Sequence, residues 1–168
     1  MSKTCGIYCG GRAFWAYDES LSILLRFIAK EAEESNDSEF HPDEIEQWRV
    51  VAILGSDVGL HIGDGWTAEH TDRFNSLVQR CSEQLRTVGR LSGEEVLGWS
   101  VHGDRRVIWR GEPTDVRSTD PIVSLAGAIV RLVRGQLEVP PPGHWWTFGF
   151  GAEPDLIEMR HNPGGVTG

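Results

Sequence analysis

Long hydrophobic runs are missing from this chain. No apolar stretch reaches the roughly 18 residues needed to span a bilayer. The first twenty residues, MSKTCGIYCGGRAFWAYDES, lack the apolar core and small-residue cleavage site of a secretory leader, so the expected location is the cytoplasm, away from membranes. Cysteine is scarce as well. Three thiols, Cys5, Cys9 and Cys81, cannot all pair with one another, which excludes a disulfide framework. Cys5 and Cys9 have three residues between them, where zinc and redox pairs usually have two, and no second Cys/His pair follows at ligand spacing. Neither a metal nor any other cofactor is expected.

Lysine is nearly absent. Lys3 and Lys30 stand against fourteen arginines, which points to a GC-rich genome and carries no mechanism. The motifs of common enzyme classes are absent too. No GxGxxG opens a helix and no phosphate-loop lysine follows a glycine run, so dinucleotide and P-loop sites are excluded. There is no GxSxG elbow, and GGRAF after Cys9 forms no thiol-protease signature, so no catalytic residue is assigned. No repeat or low-complexity tract is present.

What the chain does have is acid. The net charge is −9 over 168 residues. Residues 1–72 hold fourteen acids and five bases, whereas residues 73–168 hold eleven of each. The excess centres on EAEESNDSEFHPDEIE, residues 31–46, whose eight acids are Glu31, Glu33, Glu34, Asp37, Glu39, Asp43, Glu44 and Glu46. No basic stripe is available to neutralise phosphates, which argues against nucleic acid as a partner. The run is expected to be an exposed loop with a short turn after Pro42. It serves either as a solvated, solubilising segment or as a docking surface for a basic protein.

Periodicity gives the elements. SLSILLRFIAKEAEE is a helix capped by Ser20, with Leu21, Leu24, Leu25, Ile28 and Ala32 at helical spacing. WRVVAILG, residues 48–55, is β-branched and continuously apolar, which predicts a strand buried on both faces. VGLHIG, residues 58–63, alternates and would form a hairpin with it. A second helix starts after Thr67 as cap and ends at Gly89, with Phe74, Leu77, Val78, Cys81, Leu85 and Val88 as its apolar stripe. Residues 96–110 form a second hairpin, in which a three-residue turn, Gly103 to Arg105, sets Val101 opposite Val107 and Trp99 opposite Trp109. The third helix, residues 120–135, has Asp120 as cap and Pro121 in its first turn, and its nearly all-round apolarity makes it central. Residues 145–151 and the segment DLIEM add two strands. The expected fold is therefore α+β: one domain over residues 1–160, with a mainly antiparallel sheet of five or six strands built from hairpins. Three helices accompany it, the third largely buried, and a flexible tail covers residues 161–168.

One stretch concentrates polar chemistry: VGLHIGDGWTAEHTD, residues 58–72. Its structural reading is a strand-to-helix corner. Gly63 and Gly65 permit positive φ, Asp64 bonds its own turn, and Trp66 staples onto His70 or Thr71. The competing reading gathers His61, Asp64, Glu69 and His70 into a metal or acid/base cluster for a small hydrolase or metal-dependent enzyme. Glu69 and His70 are adjacent, however, and diverge by roughly 100° around a helix, which favours the corner. Two further features remain. Arg131 and Arg134 form either a paired strip or an anion clamp. Trp145 and Trp146, after three prolines, are either core or an exposed aromatic patch for a partner.

The leading expectation is a non-enzymatic binding protein whose acidic segment docks a basic protein. By analogy alone, small inhibitors such as nuclease-neutralising immunity proteins share this composition.

Overall fold

The structure, a computed structural model, describes residues 3–35 and 40–158. Asp37, Glu39 and the tail expected at 161–168 thus lie outside the described residues. The described residues begin with a hairpin. Strand β1 (Thr4–Cys9) pairs antiparallel with β2 (Arg12–Tyr17). Gly10 and Gly11 make the turn at φ 54° and 79°, the doubly positive geometry that two-residue hairpins demand. Cys5, Ile7, Phe14 and Ala16 alternate inward and are essentially inaccessible.

β2 runs directly into helix α1 (Asp18–Glu34). The expected cap is displaced: Tyr17 holds the cap position, while the buried Ser20 hydroxyl donates to the Gly149 carbonyl. The acidic run is correspondingly not one loop. Its first acids complete α1, and its last ones begin α2 (Pro42–Leu54).

α2 overturns the strand expected at residues 48–55. Ile45, Trp48, Val51 and Ala52 are buried at helical spacing. Pro42 sits in the first turn, and the His41 ring accepts from the Asp43 amide. The β-branched pair Val50–Val51 reads as strand by propensity alone. Burial against α1 imposes the 3.6-residue period, and tertiary packing prevails over so weak a preference. Gly55, at φ 56°, ends the helix in a 3-10 turn (Gly55–Asp57). The residue pair β3 (Leu60–His61) then joins β1 in parallel, so the expected hairpin of residues 48–63 does not form.

Helix α3 (Ala68–Val88) follows the sequence reading closely. The Thr67 hydroxyl accepts from the His70 amide at 3.1 Å, and Gly89 closes the helix at φ 72°. Next come β4 (Arg90–Ser92), the short helix α4 (Gly93–Leu97), β5 (Ser100–His102), β6 (Arg105–Arg106) and β7 (Val116–Ser118). The register expected for the second hairpin is corrected here. His102 pairs with Arg105 across a two-residue turn, and Ser100 pairs with Arg106, so Val101 is absorbed as an irregularity. A bulge takes up the odd residue that a longer turn was expected to absorb. α4 meanwhile removes Val96 and Leu97 from the strand.

Helix α5 (Asp120–Val133) is largely buried, as its composition implies. Its N-cap is Thr119 rather than Asp120, and the Thr119 hydroxyl donates to the Leu85 carbonyl at 2.8 Å. Strands β8 (His144–Phe148) and β9 (Asp155–Glu158) end the described chain.

The result is mixed in α and β, with more elements than expected: five α-helices and nine strands among the described residues. The main sheet has the order β3-β1-β2-β8-β9, and β4–β7 and β5–β6 form separate pairs. β1–β3 and β2–β8 are parallel, so the main sheet is mixed rather than mainly antiparallel. One face, carrying Ile7, Phe14 and Phe148, is buried in the helical core. The alternate residues Tyr8, Trp15, Tyr17 and Trp145 lie on the other face, half-buried.

Candidate functional site

The two stretches singled out in the sequence meet. The start of α2 and the residue 61–66 corner enclose an open cleft of about 420 Å³, lined by Asp43, Glu44 and Asp64 together with His41, His61 and Trp66. Lysine and arginine contribute nothing to its lining. Local sequence explains the arrangement. Asp43 and Glu44 occupy the first turn of α2, where the helix dipole favours carboxylates. Gly63 and Gly65, at φ 83° and 73°, fold the corner and hold Asp64 out between them. Trp66 packs on His70 at 4.7 Å and on Phe74 at 4.9 Å, which is the staple expected from the spacing.

The four polar residues of the competing cluster separate into two uses. His61 and Asp64 are exposed and line the cleft, and the His61 ring stacks on Tyr8 at 4.6 Å. Glu69 instead bonds Arg73 one turn along its helix. His70 Nε2 meets Glu44 Oε1 at 2.9 Å and thereby ties α3 to α2. Among the described residues, no group of three or more His, Cys, Asp or Glu is placed to hold a metal ion. The geometry resembles a helix-to-helix fastening more than an acid/base centre.

The described acids of residues 31–46 divide as well, because helical spacing turns them to different sides. Glu31 accepts from Arg80 and Gln84, Glu33 pairs with Arg49, and Glu34 pairs with Lys30. Glu46 lies near both Arg49 and His102. Asp43 is the most open, its side chain being 93% exposed beside the His41 ring. The part of the run that faces a concave surface is therefore the start of α2.

Cys5 is buried, and its thiol donates to the Val58 carbonyl at 2.9 Å. Burial pushes the Cys5 and Cys81 thiols up to about 12. The Cys9 thiol is raised as well, by burial first and then by the Asp64 carboxylate. All three are therefore neutral near pH 7, and a neutral thiol is a poor nucleophile.

A second polar cluster was invisible in the sequence. Asp18 and Glu19 are buried at the start of α1, 1% and 4% exposed. Asp18 accepts both Nε and a terminal nitrogen of Arg110. Glu19 accepts the Arg110 amide and the Arg117 guanidinium, and Arg117 stacks over Trp109 at 4.5 Å. Burial raises the Tyr17 hydroxyl, and the nearby carboxylates of Glu19 and Asp18 add to that effect. The partners are about ninety residues apart in the chain, so no spacing signals them. Every carboxylate here is satisfied from within the protein, which makes the cluster a clamp holding residues 107–117 onto α1.

No family model matches this chain, and comparison with curated proteins and with solved structures likewise gives no match.

Proposed function

We propose that this protein is a non-enzymatic binding protein that docks a basic protein partner, and that the cleft between α2 and the residue 61–66 corner is where it does so. One observation carries this reading: a concave surface lined by three carboxylates and two imidazoles, with no lysine or arginine among its lining residues. The charge distribution supports it, since the whole −9 excess lies in residues 1–72, which supply both walls of the cleft. A single-sign cleft focuses its field and steers an oppositely charged partner during diffusional encounter. In kind this resembles small acidic inhibitors that occlude basic proteins, such as nuclease-neutralising immunity proteins. The hydrolase reading finds no support in the three cysteines, whose thiols are all raised by burial.

The test is titration of an arginine- and lysine-rich peptide into the native protein and into an Asp43→Asn, Asp64→Asn variant, at low and moderate salt. Both acids are exposed, so the variant should keep its fold. The expected result is weaker binding by the variant, with a shallower dependence on salt. Equal affinity and equal salt dependence would overturn the proposal.

A further inference from the structure

Two of the three carboxylates in the acidic cleft touch an imidazole. His41 Nδ1 lies 3.5 Å from Asp43 Oδ2, and His70 Nε2 lies 2.9 Å from Glu44 Oε1. The third, Asp64, shares the cleft lining with His61. Histidine is the side chain that ordinarily changes charge between pH 5 and 8, a range in which ordinary carboxylates stay ionised. With all three imidazoles neutral, the three carboxylates give this group a formal charge of −3. Each proton taken up cancels one unit, so three protons bring the sum to zero. The lining holds no lysine or arginine to supply a fixed positive charge. The histidines therefore set the strength of the field in the cleft.

The three imidazoles differ in weight. His70 and Glu44 are sheltered, with side chains 23% and 15% exposed, and the rings of Trp66 and Phe40 pack on the imidazole at 4.7 and 5.4 Å. Solvent screens such a pair weakly. On the helix of His70, Glu69 and Arg73 bond each other, which leaves Glu44 of α2 as the carboxylate that His70 meets. His41 and Asp43 are open, at 73% and 93%, so their contact is screened and counts for less. Neutral His41 accepts the Asp43 amide at Nδ1; protonated, that nitrogen becomes a donor beside the Asp43 carboxylate. His61 is exposed and stacks on Tyr8 at 4.6 Å. It also borders Cys9 and Arg12 in a neighbouring cleft, where Arg12 donates to the Gly135 carbonyl and the Cys9 thiol is raised by burial.

We infer that the acidic cleft is gated by pH: it engages its basic partner while His41, His61 and His70 are neutral, and releases it as they take up protons. The inference rests on the docking reading above and adds its regulation. Attraction for a cationic partner follows the local field, which each proton weakens. Linkage runs both ways. A partner that prefers the unprotonated cleft expels protons on binding, and the rise of log affinity with pH counts them.

The experiment is calorimetric titration of the arginine- and lysine-rich peptide into the full chain between pH 5.5 and 8, at constant ionic strength. The peptide keeps its charge throughout this range. Affinity is expected to fall by at least about tenfold from pH 8 to pH 5.5, the lower end of what a focused field contributes. At pH 6.5, buffers of different ionisation enthalpy should report protons released by the native protein on binding. A His41→Asn, His61→Asn, His70→Gln variant should bind at pH 5.5 nearly as well as at pH 8. Asparagine keeps a capping oxygen at position 41, and glutamine can still donate to Glu44. A His102→Asn, His144→Asn variant, altered at two residues that do not line the cleft, should keep the native pH dependence. Equal affinity at both pH values, without proton release, would overturn the gate and leave docking intact. So would a pH dependence that survives in the triple variant or disappears in the double one. An absence of binding at pH 8 would overturn the docking reading and the gate with it.

Discussion

The guanidinium of Arg110 grips the carboxylate of Asp18 through two nitrogens, with Nε to Oδ1 at 3.1 Å, and Asp18 is 1% exposed. That hydrogen bond raises the Arg110 pKa. A carboxylate so deeply buried depends on its partner, because desolvation costs it more than one ordinary hydrogen bond returns. Removing Arg110 alone is therefore expected to be more harmful than removing the pair. Arg110→Ala should lower unfolding stability in urea by roughly 3 kcal/mol. The double variant Asp18→Asn, Arg110→Ala should recover part of that loss. Identical midpoints for the single and double variants would mean that the clamp does not hold residues 107–117.

The corner offers a sharper comparison, since its two glycines share a positive φ and differ in surroundings. Both have positive φ, so alanine at either position should cost about 1–2 kcal/mol from the left-handed geometry alone. A Cβ at Gly65 meets nothing within 4 Å, whereas one at Gly63 falls 2.5 Å from the Cys9 sulfur. Gly63→Ala is thus expected to destabilise measurably more than Gly65→Ala in thermal melts. Adding Cys9→Ala should narrow that gap. An unchanged gap in the double variant would locate the strain elsewhere.

The buried thiols make alkaline stability a readout of packing. Cys5 and Cys81 rise from 9.0 to about 12 because burial disfavours the thiolate. Below pH 9 both are protonated in the folded and unfolded chains, so their contribution is fully present there. Above pH 9 the unfolded chain loses these protons while the folded one keeps them. Stability should then fall by up to about 1.4 kcal/mol per pH unit for each thiol, until the folded value near 12 is passed. Urea midpoints between pH 8 and 11 should show a steep fall in the native protein and a shallower one in Cys5→Ala, Cys81→Ala. At pH 8 a thiol reagent should label Cys9 well before the other two, which should react only on unfolding.

Much of the architecture was legible where one local signal acts alone. Thr67 as cap, Gly89 as stop and the Phe74-to-Leu85 stripe define α3 from sequence, because capping chemistry and the helical period agree there. The apolar run of α5 and the turn glycines of the corner were legible too, although the cap of α5 is Thr119 and not Asp120. Reading failed where two signals competed. Residues 48–54 carry β-branched side chains yet lie on a helix, in which Ile45, Trp48, Val51 and Ala52 are buried at helical spacing. The Gly10–Gly11 turn, flanked by alternating inward residues, is a local hairpin signal in the sequence.

The candidate sites divide along the same line. Sequence alone determined the acid excess, the lack of a thiolate or metal signature, and the corner built by Gly63, Gly65 and Trp66, since each depends on composition or on neighbours within one turn. Only the tertiary structure decided that Asp43 and Glu44 line one cleft with Asp64, and that Asp18 meets Arg110. Those contacts join residues that are tens of positions apart. Strand order and helix placement bring them together, and the energy that fixes both is burial summed over the whole core, which no short stretch of sequence encodes.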